Sequence, residues 1–135
     1  MTKIESQKTL INNSSEKIYN FLSDFNNFFK LMPEQVINWK SDENECSFTI
    51  KGMVDIKMQI AEKIPYSKIV YKSAKGFTLD FNLICEIEKI DETKCNAKLH
   101  FEAELSQVLK MMVETPLKNF VGILIKKLKE LGEQI

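Results

Sequence analysis

Arginine is absent from this sequence: all nineteen basic residues are lysines, and nineteen acidic residues balance them. The zero net charge removes the global field that steers proteins toward nucleic acid or an anionic membrane. Arginine's planar fork is the usual means of gripping phosphate or carboxylate, so its absence argues against recognition of nucleotides or anionic substrates. Compositional drift in an AT-rich genome explains the absence equally well, and the sequence leaves both explanations open.

Glycine is scarce, and long apolar runs are missing. With only four glycines, the chain shows no nucleotide-binding glycine loop and no nucleophile elbow. No apolar run approaches the roughly 20 residues that a membrane-spanning helix needs. Residues Met1 to Thr9 are polar and charged, without the apolar centre of a signal peptide, so we expect a cytoplasmic protein.

Metal-ligating residues are few and scattered. The three cysteines, Cys46, Cys85 and Cys95, form no CxxC or Cys/His spacing of the kind that a zinc site requires. Each shares the parity of its apolar neighbours in a strand-like run. We therefore expect buried free thiols in a reducing compartment, and no metal or cofactor.

The length of 135 residues fits a single domain covering residues 1–135, and 44% of the residues are apolar. A weak first strand is predicted at Lys3 to Ile11. From Gln35 to Leu105 the apolar period is two, and short turns join the runs, which predicts antiparallel hairpins. The candidate strands are Val36 to Trp39, Cys46 to Ile50, Met53 to Ile64, Lys68 to Lys72, Phe77 to Ile90 and Cys95 to Leu105.

Alternation in these strands predicts a sheet with one hydrocarbon face. One parity of the longest run is Phe77, Leu79, Phe81, Leu83, Cys85 and Ile87. The polar residues that an enzyme would need take the other parity, so we expect them to point away from the apolar face. They are His100, Glu102, Asp80, Asp55 and Lys57, and His100 is expected to face solvent.

Helical spacing appears before and after the strands. Asn12 to Ser15 form a predicted turn that ends in an N-cap, and Asp24 begins a second short helix, which Pro33 ends. The C-terminal segment carries an apolar stripe from Leu117 to Leu131 at three-four spacing. Because Thr115 and Pro116 suit the N-cap and first positions of a helix, we expect a break or sharp kink there.

The order of these elements resembles the START-like (SRPBCC) helix-grip superfamily, which includes lipid-transfer domains, polyketide cyclases and coenzyme Q-binding proteins. The similarity rests on Asn13 to Tyr19 followed by Ser23-Asp24, then Pro33, the strand series and the last helix. It implies an α+β helix-grip fold in which a curved antiparallel sheet of about seven strands wraps a long C-terminal helix. Two short helices follow the first strand, and an apolar cavity lies between sheet and helix.

This resemblance implies non-catalytic binding of a small apolar or amphipathic molecule, such as a lipid, isoprenoid or aromatic, and no nucleic acid. The predicted pocket residues are Met58, Tyr71, Phe81, Leu99, Phe101, Met112, Phe120 and Leu124. Two alternatives stay open: a protein-interaction module with a filled core, and an enzyme of the polyketide cyclase or dehydratase type.

The polar candidates for the pocket are Tyr71, Ser73 and Ser6. A phenol in an apolar wall can orient a ligand's carbonyl or hydroxyl, but a core tyrosine bonded to backbone has the same pattern. Met111 and Met112 also have two interpretations: they fill the core, or they form a flexible pocket wall that adapts to a variable ligand.

Overall fold

The computed structural model describes residues 2–51, 55–74 and 80–135. The strands are β1 (Thr2–Glu5), β2 (Thr9–Ile11), β3 (Val36–Ser41), β4 (Glu45–Ile50), β5 (Asp55–Ile64), β6 (Lys68–Ser73), β7 (Phe81–Asp91) and β8 (Lys94–Ala103). The helices are α1 (Ser15–Leu22), α2 (Phe25–Phe28) and α3 (Gln107–Gly132), and a 3-10 turn at Phe29–Leu31 follows α2.

The strands form one antiparallel sheet in the order β1-β8-β7-β6-β5-β4-β3, and β2 also pairs with β8. Each of the hairpins that the alternation predicts from β3 to β8 is present. In β7 and β8 the apolar parity is buried, and the polar parity is exposed or partly exposed apart from His100, so one face of the sheet forms the core. The predicted α+β architecture is confirmed.

Two predicted strands begin in parts of the chain outside the described residues. Met53 precedes the start of β5, and Phe77 to Leu79 precede β7. The turns that the sequence predicts at Lys51-Gly52 and Ala74-Lys75-Gly76 extend into the same two gaps.

The predicted first strand, Lys3 to Ile11, is two strands rather than one. Both β1 and β2 pair with β8, and the interruption at residues 6–8 begins with Ser6. The Ser6 backbone N–H donates to the Leu99 carbonyl at 2.8 Å, while the Ser6 hydroxyl accepts from the Leu99 N–H at 2.9 Å. The serine side chain thus replaces the backbone acceptor that a regular ladder would supply, and the buried N–H keeps its partner.

Two side-chain caps start the short helices. Ser14 Oγ accepts from the Lys17 N–H at 3.2 Å, and Asp24 Oδ1 accepts from the Asn26 N–H at 2.8 Å. The cap at Asp24 confirms the predicted restart of the helix. The cap of α1 is Ser14, one residue before the predicted end of the turn at Ser15.

The C-terminal helix α3 covers the concave face of the sheet with the predicted stripe. Its buried residues are Val113, Leu117, Phe120, Val121, Leu124, Ile125, Leu128 and Gly132. Near its end the backbone approaches α1 so closely that a Cβ on Gly132 would lie 2.7 Å from Ile18 Cδ1, which explains the glycine there. In the described part of the chain, no helix has the length and apolarity that crossing a membrane requires.

The predicted break in the last helix is wrong, because α3 is helical from Gln107 through Pro116 to Gly132. Pro116 lies on the exposed side, where water can bond the carbonyl of Met112 that proline leaves without a partner. Buried Val113 and Leu117 hold both halves against the sheet, and Glu114 forms ion pairs in both directions along the helix. Tertiary packing therefore overrides the local signal.

A continuous helix predicts that Pro116→Ala raises the free energy of unfolding, by about 1 to 3 kcal/mol, because alanine restores the hydrogen bond to Met112. Urea titration of the variant checks this. The control is Thr115→Ala at the neighbouring exposed position, which should change stability far less. Destabilisation by Pro116→Ala would contradict the continuous helix, since proline would then occupy the favourable first position of a separate one.

Candidate ligand cleft

A cleft of about 250 Å³ lies between α3 and the end of the β3–β4 hairpin. Its apolar lining joins the loop before β3, the end of β4 and one face of α3: Pro33, Ile50, Met112, Pro116, Phe120 and Ile123. Three polar residues, Gln35, Lys51 and Asn119, complete the lining. An apolar wall with a few polar groups is the arrangement that small-molecule sites use.

A larger groove of about 440 Å³ lies on the opposite face of the sheet, and its chemistry differs. Charged side chains from β6, β7 and β8 line it, including Lys68, Glu86, Glu88 and Lys98. Charges of both signs on an open surface are typical of a solvated face. The smaller cleft is therefore the stronger candidate for an apolar ligand.

An aromatic series, Trp39, Phe48 and Phe120, leads from the edge of the sheet to the cleft. The rings of Trp39 and Phe48 have centroids 5.2 Å apart and planes 19° apart. Phe48 and Phe120 continue the stack, with centroids 6.4 Å apart and planes 16° apart. Phe120 is the member that borders the cleft.

A β-bulge turns Trp39 inward. The β3–β4 register shifts between Ile37 and Lys40, so that two residues of β3 face one of β4, and Asn38 has a positive φ of 57°. Asparagine tolerates this left-handed conformation better than most residues. The side chain of Val36 points toward the core, so strict alternation along β3 would point Trp39 toward solvent. The extra residue of the bulge turns Trp39 to the core side instead.

The predicted pocket residues fall into two groups. Six of them are less than 5% exposed in the core: Met58, Tyr71, Phe81, Leu99, Phe101 and Leu124. The other two line the cleft, where Phe120 is 8% exposed and Met112 is 68% exposed. The structure thus brings Met112 and Phe120 together at one opening and places the other six beneath the surface.

Solved structures with the same arrangement are numerous, although neither a family model nor a curated sequence matches this chain. A protein from Chromobacterium violaceum is similar at 14% identity and a TM-score of 0.72, covering 98% of this chain and 99% of its own. A protein from Thermus thermophilus is similar at 13% identity and a TM-score of 0.72, and the match covers 96% of this chain and 95% of that protein. A norcoclaurine synthase point mutant from Thalictrum flavum, in complex with a transition-state analogue, is similar at 12% identity and a TM-score of 0.72. That match covers 96% of this chain and 92% of the synthase.

The chain has the helix-grip fold. The TM-scores of 0.72 establish this architecture, and identities of 12 to 14% carry no activity over to the present chain. The cleft lies at the side of the C-terminal helix, and the end of β4 is the part of the sheet that lines it.

Of the two interpretations of Tyr71, the structure shows the core tyrosine whose hydroxyl is bonded to the backbone. It is fully buried, and its hydroxyl donates to the Leu22 carbonyl at 2.6 Å. Its ring packs against the rings of Phe25 and Phe28, whose centroids lie 5.3 and 5.1 Å away. Burial raises the pKa of the Tyr71 phenol well above its ordinary value. The hydroxyl is therefore already used in holding α1 to the sheet.

The two serines proposed as pocket polar groups also have partners. Ser73 Oγ accepts from the Phe81 N–H at 2.9 Å and donates to Asp80 Oδ1 at 3.1 Å. Ser6 Oγ bonds Leu99, as described above, and donates to the Gln7 carbonyl at 3.0 Å. Both residues therefore act in strand pairing.

The prediction that His100 faces solvent is wrong, because the residue is only 7% exposed. Its strand parity is correct, since neighbouring Leu99 and Phe101 point to the core. On the outer face, its Nδ1 lies 3.1 Å from Glu5 Oε1 and its Nε2 lies 3.5 Å from Glu86 Oε2. Long acidic side chains from the flanking strands cover the ring. A hydrogen bond from Lys3 lowers the pKa of Glu5.

The cysteines are free and buried, as predicted. Burial raises the pKa of the Cys46 and Cys85 thiols to about 12, so both stay protonated near neutral pH. Among residues 2–51, 55–74 and 80–135, no group of three cysteine, histidine or acidic residues is placed to hold a metal ion.

Sequence reasoning missed most of the cleft lining, including Pro33, Ile50, Pro116 and Ile123. A usable signal exists on α3, where Met112, Pro116 and Phe120 recur every four residues and Ile123 follows on the same face. The predicted break at Pro116 removed the common helical register that relates these residues. A continuous helix makes the shared face visible.

The role of the Tyr71 hydroxyl predicts that Tyr71→Phe lowers the free energy of unfolding by about 1 to 3 kcal/mol, because the Leu22 carbonyl at the end of α1 loses its partner. Tyr66→Phe is the control, because Tyr66 is half-exposed. Urea unfolding of both variants should show a clear loss only for Tyr71. Equal stability of the two would contradict a structural hydroxyl at position 71.

Proposed function

We propose that this protein binds a small apolar or amphipathic molecule, without chemical conversion, in the cleft between the β3–β4 hairpin and α3. The proposal rests on the apolar lining of this cleft, in which one face of α3 lies opposite the loop before β3 and the end of β4. The apolar lining residues are Met112, Pro116, Phe120 and Ile123 on the helix, and Pro33 and Ile50 on the facing wall. Apolar surface removed from water on both partners supplies the driving force.

The polar rim supports an amphipathic ligand. Gln35 and Lys51 lie together, because the Lys51 N–H donates to the Gln35 carbonyl at 2.7 Å, and Asn119 faces them from α3. Their side chains can bond a hydroxyl, carbonyl or carboxylate at one end of a ligand. The volume of about 250 Å³ lies just below the roughly 300 to 1,000 Å³ of typical ligand sites, which favours a small molecule.

Binding is favoured over catalysis because the candidate general acids and bases lie elsewhere. His100 and Glu102 belong to the outer face of β8, and Asp80 is bonded to Ser73. The cyclase-type alternative would use Tyr71 or a water molecule in the pocket, and the Tyr71 hydroxyl is already bonded to Leu22.

A ligand that binds only the folded state stabilises it by roughly 2.7 kcal/mol at about 100 times its dissociation constant. For a domain of this size that raises the melting midpoint by on the order of 10 °C. We expect such a shift from at least one member of a panel of fatty acids, sterols, quinones and flavonoids. Differential scanning fluorimetry measures it directly.

The position of the cleft is tested by a pair of adjacent methionines. Met112→Lys puts a charge into the cleft lining and should abolish the shift, because the charge would be desolvated on ligand binding. Met111→Lys, at a residue that is 77% exposed and outside the lining, should keep it. Equal loss in both variants, or in neither, would argue against this cleft.

A protein-interaction module is the second candidate, and exposed apolar residues at the start of α3 favour it. Val108, Met111 and Met112 are 69%, 77% and 68% exposed. Single exposed apolar residues are ordinary, but three in one helical segment suit a contact surface. A panel that moved the midpoint by less than about one degree throughout would select this candidate.

A further inference from the structure

The rings that end at the cleft have one orientation. Trp39, Phe48 and Phe120 lie nearly parallel, with successive planes 19° and 16° apart. Centroid spacings of 5.2 and 6.4 Å fall within the range of favourable offset stacking. The series therefore presents an oriented aromatic surface, rather than generic apolar atoms, to whatever enters beside Phe120.

Local features of the sheet hold this orientation. The bulge at Asn38 turns Trp39 onto Phe48, and a left-handed non-glycine residue has an energetic cost that its surroundings must offset. The indole N–H of Trp39 donates to Ser41 Oγ at 2.9 Å, and Ser41 donates to Asn26 Oδ1 at 2.7 Å. The first ring is thus fixed by hydrogen bonds, and stacking passes its orientation to the second and third.

We propose that the ligand of the cleft is a flat aromatic molecule whose ring packs against Phe120 and extends this stack. The inference rests on the proposed binding function and names the class of ligand. Phe48 covers one face of the Phe120 ring, so the ring can offer the cleft only its other face or its edge. Both prefer an aromatic partner over a saturated one.

The size and rim of the cleft agree with this class. A volume of about 250 Å³ suits one or two fused rings rather than a sterol or a long acyl chain. A hydroxyl or carbonyl on the ring can reach the amides of Gln35 and Asn119 at the rim. The ligand is therefore a small arene with one polar substituent.

Two probes with the same carbon skeleton test the proposal: 2-naphthol and decahydro-2-naphthol, each titrated into the protein by isothermal calorimetry. The saturated alcohol is bulkier and lacks the π-system, so a cleft that recognises only apolarity should bind it at least as tightly. Stacking on Phe120 should instead favour 2-naphthol by about two- to tenfold.

Matched variants assign the preference to the ring. Phe120→Leu keeps an apolar side chain and should bring the ratio of the two dissociation constants to about one or below. Phe21→Leu on α1 should leave the ratio unchanged, because Phe21 has the same burial as Phe120 and lies outside the cleft: the two are 7% and 8% exposed. Thermal melts identify any variant that fails to fold, and Phe120→Met then replaces Phe120→Leu.

The outcomes separate the two proposals. Equal or tighter binding of decahydro-2-naphthol, with Met112→Lys still abolishing binding, overturns the aromatic inference and leaves the binding function standing. A preference for 2-naphthol that survives Phe120→Leu also overturns it. Failure of both probes and of the whole apolar panel to bind overturns the proposed function, and this inference with it.

Discussion

The structure depends on covering one hydrocarbon face of a curved antiparallel sheet. The strands place their apolar parity on that face, and a sheet with such a face is stable only against another apolar layer. The α3 stripe from Val113 to Leu128 is that layer. The same requirement keeps α3 helical through Pro116, since a break would separate Val113 from Leu117 and uncover part of the sheet.

The short helices fill the rest of the layer, and one hydrogen bond ties them to the sheet. Phe25 and Phe28 both pack against Tyr71, whose hydroxyl satisfies the last carbonyl of α1. Tyr71 thus combines a large apolar area with a polar anchor, which is how buried tyrosines usually act. A hydroxyl that sequence reasoning offered to a ligand contributes to packing instead.

The sheet was predictable because its signal is local and repeated: alternation over ten residues of β8 fixes which side chains face the core. The exceptions arise where a distant partner decides. Ser6 interrupts the first strand because its side chain bonds Leu99, and His100 is buried because Glu5 and Glu86 fold over it. Neither partner can be deduced from the residues adjacent in sequence.

The cleft was harder to predict than the fold, for two physical reasons. Its α3 face depends on one helical register across Pro116, and local propensity assigned that residue to a helix start. Its aromatic series depends on the bulge at Asn38, and a single extra residue reverses the alternation from which Trp39 would otherwise be assigned outward. Met112 and Phe120 were nevertheless among the residues selected from sequence.

The bulge has a second consequence, for the edge of the sheet. In the strand order of the described residues, β3 is an end strand, so one row of its N–H and C=O groups has no strand beside it. Such a row is a template for pairing with another chain, and aggregation often begins there. The irregularity at Asn38 breaks the even spacing that an incoming strand would need. The residue that orients the tryptophan therefore also makes this edge a poorer template for an added strand.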